Sequence, residues 1–230
     1  MSTGTATSPV EDKLLGNRIA AFHTELAKQA PAEVVKTISA EIDGVVRSGA
    51  GSKSPRTGDK APAFTLKDAR GGEVSLQKLL GDGPVVVAFY RGQWCPYCDL
   101  QLRAYQEVLP QIRALGAKLV AISPQTPDES LSTAEKRNLE FTVLSDSGNK
   151  TAQAYGLVFK VSAPMDGIHK AFGIDLAKSN GEASNELPVP GTFIVGRDGV
   201  IAYSYVNADY RERLEPAELL RRLAQATGKH

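Results

Sequence analysis

Pro84-Val85-Val86-Val87-Ala88-Phe89-Tyr90 runs directly into Arg91-Gly92-Gln93-Trp94-Cys95-Pro96-Tyr97-Cys98. The first half is apolar and rich in β-branched residues, the pattern of a central strand buried on both faces. From Pro96 to about Leu115 the apolar residues recur at helical spacing, at Leu100, Leu102, Tyr105, Val108, Leu109 and Ile112. A strand that feeds a helix through Cys-x-x-Cys places Cys95 at the helix N-terminus and Cys98 one turn in, on the same face. Free backbone N–H groups and the positive helix end favour a thiolate there. Pro96 costs little at an early helical position, because its missing N–H would have had no partner. Arg91 and Arg103 are candidate cations for lowering a thiol pKa, and Trp94 can shield the site and meet a partner. By helix geometry Cys95 is expected to be the more exposed thiol.

These are the only two cysteines in 230 residues. A disulfide framework would need more of them, dispersed along the chain. A bond closing so short a loop would add little stability, so the pair calls for a chemical explanation. A zinc site would need four ligands, and His23, His169 and His230 lack ligand spacing to the cysteines. No cofactor and no metal is therefore expected, and the pair reads as a redox centre. A net charge of +1 gives no global field toward nucleic acid or membrane, and neither is expected as a partner. No segment approaches the length of a transmembrane helix. The first nine residues are small and polar, read as disordered, with no secretory signal pattern, and a cytoplasmic protein is expected.

Working outward, residues 11–46 show two apolar helical stripes separated at Gln29-Ala30-Pro31, a helical hairpin. Its apolar faces must pack on the main body or on a partner subunit, which makes a homodimer one candidate assembly. Ser48 to Pro55 reads as a flexible linker. The expected division is a helical extension with linker over 1–57 and a main domain over 58–230. In that domain, 63–66 and 73–76 form a hairpin around Arg70-Gly71-Gly72. Strands are expected at 118–123 and 141–145, helices at 128–138 and 150–155, and a partly helical insertion at 162–186. A hairpin at 191–206 turns at Gly196-Arg197-Asp198-Gly199, and an amphipathic helix at 215–226 closes the chain. This order is α/β, with parallel central strands and an antiparallel hairpin at one edge.

Three stretches resemble a known family. Gly58-Asp59-Lys60-Ala61-Pro62-Ala63-Phe64-Thr65-Leu66 looks like the opening motif of peroxiredoxins. Val85 to Tyr90 looks like the strand before their active site, and Phe193-Ile194-Val195-Gly196-Arg197-Asp198-Gly199 like their late hairpin. The resemblance covers about residues 58–226 and is nearest to the peroxiredoxin-like branch of the alkyl hydroperoxide reductase/thiol-specific antioxidant family that carries a thioredoxin-type Cys-x-x-Cys. It implies a thioredoxin fold, a central mixed sheet flanked by helices, with the helical extension added in front. The family pattern Pro-x-x-x-Thr-x-x-Cys puts its peroxidatic cysteine on Cys98, its threonine on Cys95 and its proline on Arg91. The family's late arginine position is Pro190 here. The departures lean toward thioredoxin, in which a proline, often cis, faces the two cysteines; Val189-Pro190-Gly191-Thr192 is similar to that segment.

The resemblance implies a thiol-dependent peroxidase acting on hydrogen peroxide or organic hydroperoxides through a Cys95–Cys98 disulfide. A thioredoxin-like reductase of protein disulfides would end in the same bond, with Cys95 attacking first. Either needs an external thiol reductant such as thioredoxin or glutathione/glutaredoxin. A redox-responsive binding or chaperone-like protein is the third reading. Which thiol attacks stays open at this level.

Overall fold

The computed structural model describes residues 14–228; the expectations for residues 1–9 and for His230 lie outside them. The chain opens with α1 (Leu15–Gln29) and α2 (Ala32–Ser48), followed by β1 (Thr65–Asp68), β2 (Glu73–Ser75) and α3 (Leu76–Asp82). Strand β3 (Val85–Phe89) leads into α4 (Pro96–Glu107), α5 (Leu109–Ala114) and β4 (Lys118–Ser123). Then come α6 (Pro127–Arg137), β5 (Thr142–Ser145), α7 (Lys150–Ala154), β6 (Val158–Lys160), α8 (Ala163–Ala171) and α9 (Leu176–Asn180). Strands β7 (Glu186–Pro188), β8 (Gly191–Val195) and β9 (Ile201–Val206) and helix α10 (Pro216–Thr227) complete the order.

Seven strands form one mixed sheet in the order β2-β1-β5-β4-β3-β8-β9. Strands β3, β4 and β5 are parallel, and β3 is buried at every residue, as its apolar run requires. Antiparallel hairpins close both edges, not one: β1 pairs with β5, and β8 pairs with β3. Strands β6 and β7 make a separate two-stranded ribbon that the sequence reading passed over. Three-residue strands are too short to show a period of two.

The single helix expected over 96–115 is two. It breaks at Val108, and Pro110 sits in the first turn of α5, where it has no N–H to continue the ladder of α4. The linker expectation is also corrected. Residues 48–55 form hydrogen-bonded turns, and the Ser54 hydroxyl donates to the Tyr155 carbonyl at 2.8 Å. A Cβ on Gly51 would stand 2.7 Å from Val206, so the chain lies directly against β9.

The N-terminal hairpin buries part of its apolar stripes within the chain, through Leu15, Ile19, Ile42 and Val45. Helix α1 packs on α4 and α2 on α8. The Glu215 carboxylate accepts the Leu15 and Gly16 N–H groups at 3.0 and 2.6 Å, capping the start of α1 with negative charge. Arg18 adds a two-pronged ion pair to Glu107 of α4 at 2.9 and 3.0 Å. The extension is thus anchored onto the helix that carries the cysteines.

Candidate active site

Cys95 is the N-cap residue of α4, in extended backbone, and Pro96 occupies the first turn. The expected strand–loop–helix placement holds. The expected exposure of Cys95 does not: both thiols are free and fully buried. The helical hairpin, α8 and Trp94 cover the face that an isolated strand–helix unit would leave open.

Three donors meet the Cys98 sulfur or its edge. The Arg91 backbone N–H approaches Sγ at 3.4 Å and Arg213 Nη2 at 3.6 Å. The Cys95 thiol supplies the third, and the Arg91 side chain adds charge. Burial pushes the Cys98 thiol up, but the Cys95 hydrogen bond and the two arginines outweigh it and hold Cys98 well below the usual thiol range. Cys95 moves the other way: burial raises it, and its hydrogen bond to Cys98 and the charge there raise it further. Its thiol lies 3.9 Å from Arg91 Nη1. The hydrogen bond and the two arginines thus favour negative charge on Cys98 over Cys95.

Each arginine is held in place. The Arg91 guanidinium is buried, with its carbon 4.0 Å from the Tyr210 ring centre and 5.1 Å from that of Trp94. Arg213 donates from Nε to Gln101 Oε1 at 2.9 Å and from Nη1 to the carbonyls of Tyr210 and Glu212. Gln101 joins Tyr105 and Thr192 in a buried polar network. Burial pushes both Tyr90 and Tyr97 up to about 12, so both stay protonated.

The other candidates divide. Trp94 packs beside Arg91 and edge-on to His169 at 4.9 Å. Arg103 does not join the site: it is exposed and pairs with Asp99 at 3.1 Å on the outer face of α4. Pro190 is buried before β8, and every described peptide bond is trans, including Val189–Pro190. Its neighbour Thr192 reaches the site, through Gln101. Arg213 is not among the sequence candidates: Asp209-Tyr210-Arg211-Glu212-Arg213 is a polar, charged run next to the last helix, with the composition of a surface cap. Arg211 fits that reading, bound to Asp209 at 2.7 Å, but Arg213 turns inward. No local signal separates the two.

Two expected results follow from this geometry. Gly92 has a φ of 154°, and a Cβ there would sit 2.4 Å from Trp94 Nε1. Gly92→Ala should displace the only tryptophan, visible as a shift in its fluorescence, and cost about 1–3 kcal/mol in denaturant titrations. The reduced protein should also show a two-sided pH profile of stability. As pH rises from the lowered Cys98 value toward the ordinary thiol range, the unfolded chain holds the extra proton, so stability grows. Above that range the folded protein retains the Cys95 proton, and stability falls. Cys98→Ser should lose the rising limb.

A seven-stranded mixed sheet with a thiol pair at the start of the helix after its central strand defines a thioredoxin-fold thiol oxidoreductase. Residues 57–204 match the AhpC/TSA family, and the chain belongs to it, as a peroxiredoxin-like, thiol-dependent peroxidase. It is 34% identical over 150 residues to chloroplastic peroxiredoxin Q of Sedum lineare, covering 65% of this chain and 68% of the relative. It is 31% identical over 188 residues to chloroplastic peroxiredoxin Q of Triticum aestivum, covering 82% and 75%. The solved structure of peroxidoxin BcpB from Mycobacterium tuberculosis superposes with a TM-score of 0.58 at 22% identity, over 74% of this chain and 97% of that one, a likeness of fold. The peroxiredoxin Q relatives from Sedum lineare, Populus jackii and Triticum aestivum are chloroplastic, which overturns the cytoplasmic expectation. That expectation rested on the lack of an apolar signal core, a feature that plastid transit peptides also lack. Among the described residues no helix is long and apolar enough to cross a membrane.

Proposed function

We propose that Cys98 is the attacking thiolate and Cys95 the resolving thiol. The observation that carries this is the set of donors on Cys98 Sγ, set against the raised, protonated state of Cys95. The Cys98 thiolate attacks the distal peroxide oxygen and the O–O bond breaks. The alkoxide or hydroxide that leaves takes a proton from water, and Cys98 becomes a sulfenic acid. Cys95 sulfur then attacks Cys98 sulfur and expels hydroxide, which takes the Cys95 proton and departs as water. Two electrons have passed from the thiols to the peroxide, and a Cys95–Cys98 disulfide remains. An external thiol such as thioredoxin or glutathione/glutaredoxin returns it to the dithiol.

Arg91 and Arg213 take the place of the polar groups that the family pattern carries at other positions. Their charge stabilises the Cys98 thiolate and the negative charge that develops on the leaving oxygen. Full burial of both sulfurs favours a small peroxide over a folded protein disulfide as the oxidant. A homodimer belongs to this reading, and the exposed Leu14 and Val46 of the hairpin leave part of its apolar surface outside the core. The division at residue 57 is supported by the start of the family match. Stopped-flow mixing with hydrogen peroxide and with an organic hydroperoxide tests the proposal. Oxidation should far outpace that of a free thiol; equal rates, together with efficient insulin reduction, would favour the disulfide-reductase reading.

A further inference from the structure

The two arginines of the site are divided between the two sulfurs. Arg213 Nη2 lies 3.6 Å from Cys98 Sγ, whereas Arg91 Nη1 lies 3.9 Å from Cys95 Sγ. Toward Cys98, Arg91 directs its backbone N–H instead, at 3.4 Å. The electrostatics follow the same division. Burial raises the Cys95 thiol most, its hydrogen bond to Cys98 and the charge there add to this, and of the opposing cations Arg91 outweighs Arg213. At Cys98 the order of the two arginines is reversed.

Among the described residues no carboxylate bonds to the Arg91 guanidinium. Nη1 faces Cys95, and Nε and Nη2 have no hydrogen-bond partner. Glu41 attracts it more weakly than either cysteine does. Ring faces hold it instead, with its carbon 4.0 Å from the ring centre of Tyr210 and 5.1 Å from that of Trp94. Tyr210 is 1% exposed, and a cation on a ring is bound more tightly where water is excluded. Tyr210 lies between β9 and α10, beyond residue 204, where the family match ends. The same turn carries Arg213, whose Nη1 donates to the Tyr210 carbonyl. One segment thus places a guanidinium on Cys98 and braces the other over Cys95.

We infer that the Arg91 side chain serves the second step of the reaction, closure of the disulfide, and that Tyr210 positions it for that step. The inference rests on the peroxidase reading above, with Cys98 attacking first. Once Cys98 carries the sulfenic oxygen, its negative charge is gone, and with it the repulsion that raised Cys95. Cys95 sulfur attacks Cys98 sulfur, and the S–S bond forms as the S–O bond breaks. The hydroxide that leaves takes the Cys95 proton and departs as water. Cys95 is oxidised as the sulfenic sulfur of Cys98 is reduced, so the step needs no co-reactant. Arg91 holds the negative charge on the Cys95 sulfur while the proton moves. The two arginines act in turn, Arg213 on the attacking sulfur and Arg91 on the resolving one.

Rapid quenching after one equivalent of hydrogen peroxide, read by intact-protein mass spectrometry, counts the sulfenic acid and the disulfide separately. Tyr210→Leu should slow disulfide formation about tenfold more than sulfenic acid formation, the scale of a lost contact to a charged group. Excess peroxide should then drive more of the protein to sulfinic acid. Tyr210→Phe keeps the ring face and should recover the disulfide step. Arg91→Met keeps the backbone N–H on Cys98 and should show the same imbalance, whether or not Tyr210→Leu folds. Equal slowing of both steps, or no recovery in Tyr210→Phe, would overturn the inference and leave the peroxidase reading standing. A second readout needs no peroxide. Cys98→Ser leaves Cys95 as the only thiol, beside an uncharged oxygen. The charged and titratable groups that face it are then Arg91, Arg213, Tyr97 and Tyr210. Adding Arg91→Met should move the thiolate absorbance of Cys95 about one pH unit upward. A midpoint that stays in place overturns the inference even if no peroxide is turned over.

Discussion

Cys98→Ser should reduce peroxide turnover by at least about a thousandfold, the scale of loss when a nucleophile is removed. Cys95→Ser should instead consume one equivalent of peroxide and stop, with an added oxygen on Cys98 visible by intact-protein mass spectrometry. The asymmetry comes from the site's electrostatics. Cys98 Sγ faces the Arg91 N–H and Arg213 Nη2, and Cys95 donates to it. Cys95 has one long contact to Arg91, and burial and its hydrogen bond to Cys98 raise its thiol. If the oxygen is trapped on Cys95 in the Cys98→Ser protein, the order is reversed and Cys95 is the attacking thiol.

Arg213→Met should slow oxidation of Cys98 by roughly tenfold to a hundredfold, because a hydrogen bond to a charged group is worth about 1.5–3 kcal/mol. The pH profile of the rate carries the sharper test. The native thiolate persists below the ordinary thiol range, so the rate should rise with pH at an unusually low value. Without Arg213 that rise should move upward by about one to two pH units. A lower rate with an unmoved profile would make Arg213 a structural residue only. Arg213→Lys keeps the charge but loses the fork that holds Gln101 Oε1 and Cys98 Sγ together. It should recover part of the pH shift while still failing to order the Gln101–Tyr105–Thr192 network.

Much of the fold was legible because its elements obey local rules. Val85–Phe89 is apolar throughout because both faces of β3 are covered, and Gly196-Arg197-Asp198-Gly199 turns the last hairpin. The break between α1 and α2 follows Pro31. Where local rules were weak, the reading slipped. The ribbon of β6 and β7 is too short for periodicity, Pro110 was read through, and turns at 48–55 passed for a flexible linker. Chain-local features could not show that Gly51 abuts Val206 or that Ser54 bonds to Tyr155.

The site divides in the same way. Cys95 and Cys98, their place at the head of α4, and Arg91 beside them follow from adjacency in the chain. Local spacing is enough to bring two sulfurs together on one helical turn. The burial of the pair and the arrival of Arg213, 115 residues from Cys98, belong to tertiary structure. So do the assignment of the thiolate to Cys98 and the stacking of Tyr210 on Arg91. A thiol pKa depends on charges and solvent within a few ångströms, and here those come from segments whose side-chain direction no local pattern encodes.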